Sequence, residues 1–400
     1  MSMRKAKRYM SLVAVLAIVA LAVTGCGGGT TTGGGAKAAV TLTIGIGAPL
    51  TDGAVPQGKG MVRGTNLAVS QANASQEVKD LGIVIKTLEG DDKGDPTTGG
   101  NVATQFASNP SLVGVMGTLN SGVTRVAVKI YNVANIVQVS PANTAVDLTQ
   151  MGMTNYFRVC SIDSVQGPVA ADYAFKVAGK TAAYVVDDST VYGAGLADAW
   201  EGQFKTDGGT VAGREKTSDK DTDFKALVSK IKAANVQIVY YGGMYNSGAL
   251  LSKQMKEGGV KVPLMGGDGM FDPEFIKLAG AANAEGDLAT SVGLPIDKAP
   301  GGVKFLADYK AAYPSEAPAA YDAYSYDAAN VIIKAIVEVA KSMGADKVTT
   351  TEGKKAIIAA VAKTDFEGVT GKVQFDKNGD TTNKAITVYA VKGGVWVPVQ

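Results

Sequence analysis

Histidine is absent from the 400-residue chain, and with it every imidazole base, proton shuttle or metal ligand. A large share of enzyme chemistry goes with that absence. Cysteine is scarce: only Cys26 and Cys160 are present, so no disulfide framework is expected. No GxxxxGK[ST] phosphate loop and no GxSxG elbow occurs, and Gly45-Ile46-Gly47 runs into Ala48-Pro49-Leu50 instead of the dinucleotide spacing. Excess charge of one sign is lacking too. Lys and Arg number 39 against 37 Asp and Glu, a net charge of +2, and no basic stripe interleaves with aromatics, which argues against a nucleic-acid surface. The apolar run from Leu12 to Val23 is too short for a stable membrane span.

What is present is an ordinary globular composition, 46% hydrophobic and 19% charged, at a length that predicts two domains. The N-terminus is different in kind. Arg4, Lys5, Lys7 and Arg8 precede the apolar run, which ends in Leu21-Ala22-Val23-Thr24-Gly25-Cys26. Small residues before a cysteine resemble the lipobox of bacterial lipoproteins, the alternatives being an ordinary secretory signal or an uncleaved anchor. Residues 1–25 then read as a signal peptide, Cys26 as the lipidated first residue, and residues 26–39, rich in Gly and Thr, as a flexible tether. The expected location is extracytoplasmic, on the membrane surface. Cys160 closes an apolar strand and reads as a small buried residue.

From Val40 onward, strand and helix alternate. Val40 to Ile46, Ile83 to Leu88, Leu112 to Met116 and Ile136 to Val139 are apolar runs suited to a parallel sheet buried on both faces. Asp95 followed by Pro96 starts the helix to Ala107, and Asp91 and Asp92 read as a solvated loop before it. Ser121 and Thr144 stand at two adjacent strand exits, where helix N-termini favour a carboxylate or phosphate. The plainer alternative is that both hydroxyls only cap helices. The pattern repeats after Asp163, with strands near 181–186, 210–215, 236–241 and 262–265 between helices. This predicts an α/β protein of two doubly wound, Rossmann-like lobes with a cleft between them. The tail adds helices and short strands, with Asn378-Gly379-Asp380 and Gly393-Gly394 as hairpin turns. Asp376 to Asp380 mimics the start of a calcium loop, but Thr381 and Thr387 replace its required Gly and Glu. No metal site and no cofactor follow.

Several segments, in order, resemble one family. They include Gly47-Ala48-Pro49-Leu50-Thr51, Asp91 to Pro96, Ser140-Pro141-Ala142-Asn143-Thr144, Phe157-Arg158, and Asp187-Asp188 through Tyr192-Gly193. Further on come Tyr240-Tyr241-Gly242-Gly243, Gly266-Gly267-Asp268-Gly269, Tyr326-Asp327-Ala328 and Phe375-Asp376 with Gly379-Asp380. The chain is similar here to type I periplasmic solute-binding proteins, in the leucine/isoleucine/valine-binding branch that serves ABC importers. The resemblance implies a three-strand hinge and a binding function without catalysis. It divides the chain into an N-terminal lobe, 40–162 plus 292–368, and a C-terminal lobe, 163–291 plus 369–400. It implies that Ser121, Ala142 and Thr144, with Asn143 between the last two, hold an amino acid's carboxylate and part of its ammonium. Tyr192 and the Tyr241 to Tyr245 region match an aromatic wall, and Asp268 an acidic partner for the ammonium.

Departures from that family pattern qualify the ligand. Gln57, in the loop Asp52 to Gly58, replaces an aromatic, and Asn120 and Gly122 flank Ser121 in place of cysteine and serine. A more polar pocket suits other amino acids or amides. The expected partners are a small-molecule ligand, the permease subunits of an importer, and the membrane through the lipid; a monomer is expected. The alternatives are a binder of an amide, urea or aromatic acid, or a free-standing sensor subunit docking on a membrane receptor. A Rossmann-type enzyme is opposed by the missing motifs.

Overall fold

The computed structural model describes residues 38–400. The expected signal peptide, Cys26 and the expected tether to Lys37 lie outside the described residues. Among those described, no helix is long and apolar enough to cross a membrane.

The first sheet has five parallel strands, β1 (Val40–Ala48), β2 (Ile83–Asp91), β3 (Leu112–Gly117), β4 (Val137–Ser140) and β5 (Tyr156–Arg158), in the order β2-β1-β3-β4-β5. β3 and β4 are buried at every position, as a parallel sheet covered on both faces requires. The second sheet contains β6 (Ala182–Asp187), β7 (Thr210–Lys216), β8 (Ile238–Gly242), β9 (Leu264–Gly266) and β10 (Leu288–Val292), all parallel. Its far edge is closed by β13 and β14 after a separate two-stranded ribbon, β11 (Asp365–Gly368) with β12 (Gly371–Gln374). β13 (Ile386–Lys392) and β14 (Val395–Pro398) run antiparallel and turn at Gly393-Gly394, where both φ angles are positive. Apolar side chains fill each lobe. In the C-terminal lobe Trp200 stacks on Phe204 and on Tyr240, each at 4.5 Å, so Tyr240 is a core aromatic.

The chain crosses between lobes after β5, after β10 and before β13. The helix Asp322–Met343 returns to the first lobe, where it packs along the helix Val55–Ala74 and under β3 and β4. The ribbon belongs with it: Asp327 accepts from the Val369 and Thr370 N–H groups at 2.9 and 2.8 Å. The expected boundary between 368 and 369 therefore falls inside a paired ribbon, and the third crossing comes later, past the Phe375–Thr381 bridge.

Four local expectations change. Glu89, Gly90 and Asp91 continue β2 instead of opening a loop. Asp91 accepts from Leu50 N–H at 2.8 Å and from the Thr51 hydroxyl, tying two strand exits together. Asp92 is buried, not solvated, and burial, with Asp91's charge, pushes its pKa up to about 7. Asp95 alone caps the next helix, through Thr98 N–H at 2.8 Å. Gln57 lies in the first turn of the helix Val55–Ala74 instead of a loop, because Pro56 supplies a helical φ without needing a donor. The Asp376–Asp380 turn forms, but β12 and β13 on its flanks do not pair with one another.

Candidate functional site

The exits of β3 and β4 meet the second lobe at a narrow space. Leu119, Asn120, Ser121 and Ala142 line it from the first lobe, and Tyr321, just before the helix Asp322–Met343, joins them. Tyr192, Met244, Asp268 and Gly269 face them from the second lobe. Ser121 is the first residue of the helix Ser121–Val133; Asn120 holds the capping position but makes no side-chain cap. Neither Ser121 nor Thr144 is a cap, and the buried Thr144 hydroxyl has no partner in hydrogen-bonding geometry. Thr144 does not line the space; the free donors at the helix N-terminus suit an anionic group.

The opposite wall is acidic. Asp268 is almost fully buried, and its carboxylate accepts from the Tyr192 hydroxyl at 2.9 Å and the Tyr321 hydroxyl at 2.5 Å. Tyr192 in turn accepts the Gly269 N–H at 2.9 Å. Burial raises the Asp268 pKa, and the two phenol donors oppose that rise by stabilising the carboxylate. Asp163, at the first lobe crossing, lies in the same field. Burial and the Asp268 charge push its pKa up to about 8, against the opposing effect of the Thr144 hydroxyl beside it. Two buried carboxyl groups acting on one another make this wall a place for a cation.

Of the residues singled out from sequence, Ser121, Ala142, Tyr192 and Asp268 line the cavity. Asn143 lies behind it, its amide nitrogen donating to Leu119 O at 2.7 Å and its amide oxygen accepting from the Thr124 hydroxyl at 2.6 Å. Gln57 is fully buried with both amide atoms unpartnered, and it does not line the space. Tyr241 and Tyr245 also lie off it. Tyr241 packs into the second lobe, where a Cβ on Gly243 would meet its ring at 2.6 Å. Met244, between those two tyrosines, is the residue that reaches the cavity. The neighbourhood was legible and the register was not, because the chain turns sharply after β8. Tyr321, next to the helix Asp322–Met343, carries no local sequence signal that marks it as a cavity residue. Cys160 is buried, its thiol donating to Asn143 O at 3.4 Å.

Residues 41–395 match the family model for the periplasmic binding protein. A Leu/Ile/Val-binding protein homolog 1 from Brucella melitensis is 31% identical over 351 residues, 88% of this chain and 90% of the relative. Among solved structures, the leucine-binding protein LivK of Thermotoga maritima superposes with a TM-score of 0.80 at 28% identity, covering 90% of this chain and 98% of that one. The branched-chain amino acid substrate-binding protein LivJ of Streptococcus pneumoniae, in complex with isoleucine, gives 0.78 at 25% identity, covering 90% and 100%.

Proposed function

The chain belongs to the periplasmic binding protein family, a solute-binding class, and on that footing we propose that it captures an amino acid, branched-chain or related, for an ABC importer. The reading rests on one observation: the helix N-terminus at Ser121 and the Asp268 carboxylate face each other across a single cavity built from both lobes. A zwitterion needs donors at one end and a carboxylate at the other. The names of the relatives support a branched-chain ligand. Thr144, with Ser121 and the Ala142 backbone, holds the carboxylate; Asp268 takes the ammonium.

In this proposal the ligand bridges the lobes and stabilises the closed arrangement, a shift of the hinge equilibrium. The loaded monomer then docks on the importer's permease subunits, and no bond is made or broken in this chain. Lipidated Cys26 and the tether hold it at the outer face of the membrane. The lobes divide as 40–162 plus 292–381 and 163–291 plus 382–400.

A thermal-shift screen of residues 27–400 against amino acids, amides, urea and small aromatic acids tests this. Ligand at about a hundred times its Kd adds roughly 2.7 kcal/mol of stability. A shift with an aliphatic L-amino acid is the expected result. A shift only with an amide or aromatic acid would keep the fold and overturn the assignment of Asp268 to an ammonium.

A further inference from the structure

A fully buried arginine sits behind the cavity without touching it. Arg158 ends β5, just before the first lobe crossing. Its Nε donates to Asp380 Oδ1 at 2.6 Å, and its Nη1 donates both to Asn143 O at 3.0 Å and to Ala145 O at 2.6 Å. Nη2 reaches the Thr149 hydroxyl at 3.4 Å, and that hydroxyl donates to Asp380 Oδ2 at 3.2 Å. The Arg158 N–H donates to Gly379 O at 3.0 Å. One guanidinium therefore joins the segment before the first crossing, the segment before the third, and the loop after β4.

The two carbonyls it grips flank Thr144. A trans peptide is planar, with its C=O and N–H pointing in opposite directions. Holding Asn143 O toward Arg158 thus turns the Thr144 N–H the other way. The Thr144 carbonyl is taken separately, by Asp163 N–H at 2.9 Å, and its buried hydroxyl lies by the Asp163 carboxyl. Thr144 does not itself line the cavity, but with the carbonyls on either side of it occupied from behind, the course of the chain two residues from the cavity-lining Ala142 is set by Arg158. Arginine suits this task in a way lysine does not: its rigid planar fork spans two acceptors and a carboxylate at once.

We infer that Arg158 is a positioning residue of the ligand site, fixing the orientation of the Asn143-Thr144-Ala145 backbone from behind while Asp380 serves to neutralise it. This deepens the amino-acid-binding reading and rests on it for the ligand-side test. The fork and the ion pair are separable. Arg158→Lys keeps the positive charge beside Asp380 but cannot hold both carbonyls. Asp380→Asn keeps an acceptor for Nε and leaves the fork on the carbonyls.

The ligand-free proteins, uniformly labelled with 15N, are compared by the amide shifts of Thr144 and Val146, and L-leucine is titrated by calorimetry well below each melting temperature. Arg158→Lys is expected to move both amide signals and to weaken L-leucine binding by about tenfold or more, as a displaced binding group does. Asp380→Asn is expected to leave the Thr144 signal in place and the affinity within about threefold of wild type. Equal effects in the two variants, or none in either, would overturn the inference. If Arg158→Lys does not fold, Arg158→Gln takes its place, and failure of both while Asp380→Asn folds would make Arg158 structural only. If the wild type responds to no amino acid in the thermal-shift screen, the amino-acid reading fails, and the amide shifts still decide the positioning role; if it responds to another amino acid, that one replaces L-leucine in the titration.

Discussion

Tyr321 and Asp268 are joined across the lobe boundary: the phenol donates to Oδ2 at 2.5 Å, from the helix that packs on the first sheet to the loop after β9. Tyr192 holds the other oxygen at 2.9 Å. Both oxygens of the acid that faces the cavity thus accept from phenols, one from each lobe, which oppose the rise in pKa that burial imposes.

Removing either of the proposed ligand contacts is expected to weaken binding. Asp268→Ala leaves a buried ammonium unpaired, and Thr144→Ala does the same for a carboxylate oxygen. Each is expected to cost about 1–3 kcal/mol in L-leucine binding by calorimetry. Unchanged affinity in both would place the site elsewhere.

The three lobe crossings predict a change of shape on loading. Small-angle scattering of residues 27–400 should give a radius of gyration near the ~21 Å typical of a compact chain of this length, falling when L-leucine saturates the protein. Identical profiles with and without bound ligand would reject hinge closure.

Asp92 makes stability depend on pH. Its pKa of about 7 lies above the ordinary 3.8, so between those values the folded protein holds a proton that the unfolded chain has lost. The stability from this protonation is greatest on the acid side, declines as pH rises through that window, and is gone above about 7. Asp92→Asn keeps Oδ1 for the Gly94 N–H at 2.9 Å and removes the charge. The variant is expected to melt about 2–4 °C above wild type at pH 8 and to lose that advantage at pH 5. A pH-independent difference would show that Asp92 does not titrate in this range.

Packing between the helices Val55–Ala74 and Asp322–Met343 depends on a missing side chain. A Cβ on Gly64 would lie 2.1 Å from Asp322 O. Gly64→Ala should therefore cost about 1–3 kcal/mol in denaturant unfolding, as overpacking does. Gly202, within the helix Val191–Thr206, has nothing within 4 Å of such an atom. Gly202→Ala should instead add roughly 0.5–1 kcal/mol. Destabilisation by both would mean that backbone freedom, not helix contact, sets the cost at Gly64.

What the sequence by itself determined is what short-range chemistry specifies. Runs such as Leu112 to Met116 are apolar throughout because a parallel strand is buried on both faces. Asp95-Pro96 and Asp272-Pro273 start helices because a side-chain acceptor and a preset φ act within one turn. The alternation of these elements was enough for two doubly wound lobes; their strand exits pointed to Ser121 and Thr144, of which Ser121 lines the cavity, whereas Asp268 came from the resemblance to the family. Only the tertiary structure decided the rest. Arg158 meets Asp380 across 222 positions and Tyr321 meets Asp268 across 53, and no local pattern encodes which partner a residue finds at that range. The choice of Met244 over Tyr241 and Tyr245 as a lining residue turned on the path of a few peptide bonds after β8. Asp92 looked solvated by composition and is buried, because burial is a property of what packs over a residue and not of the residue itself.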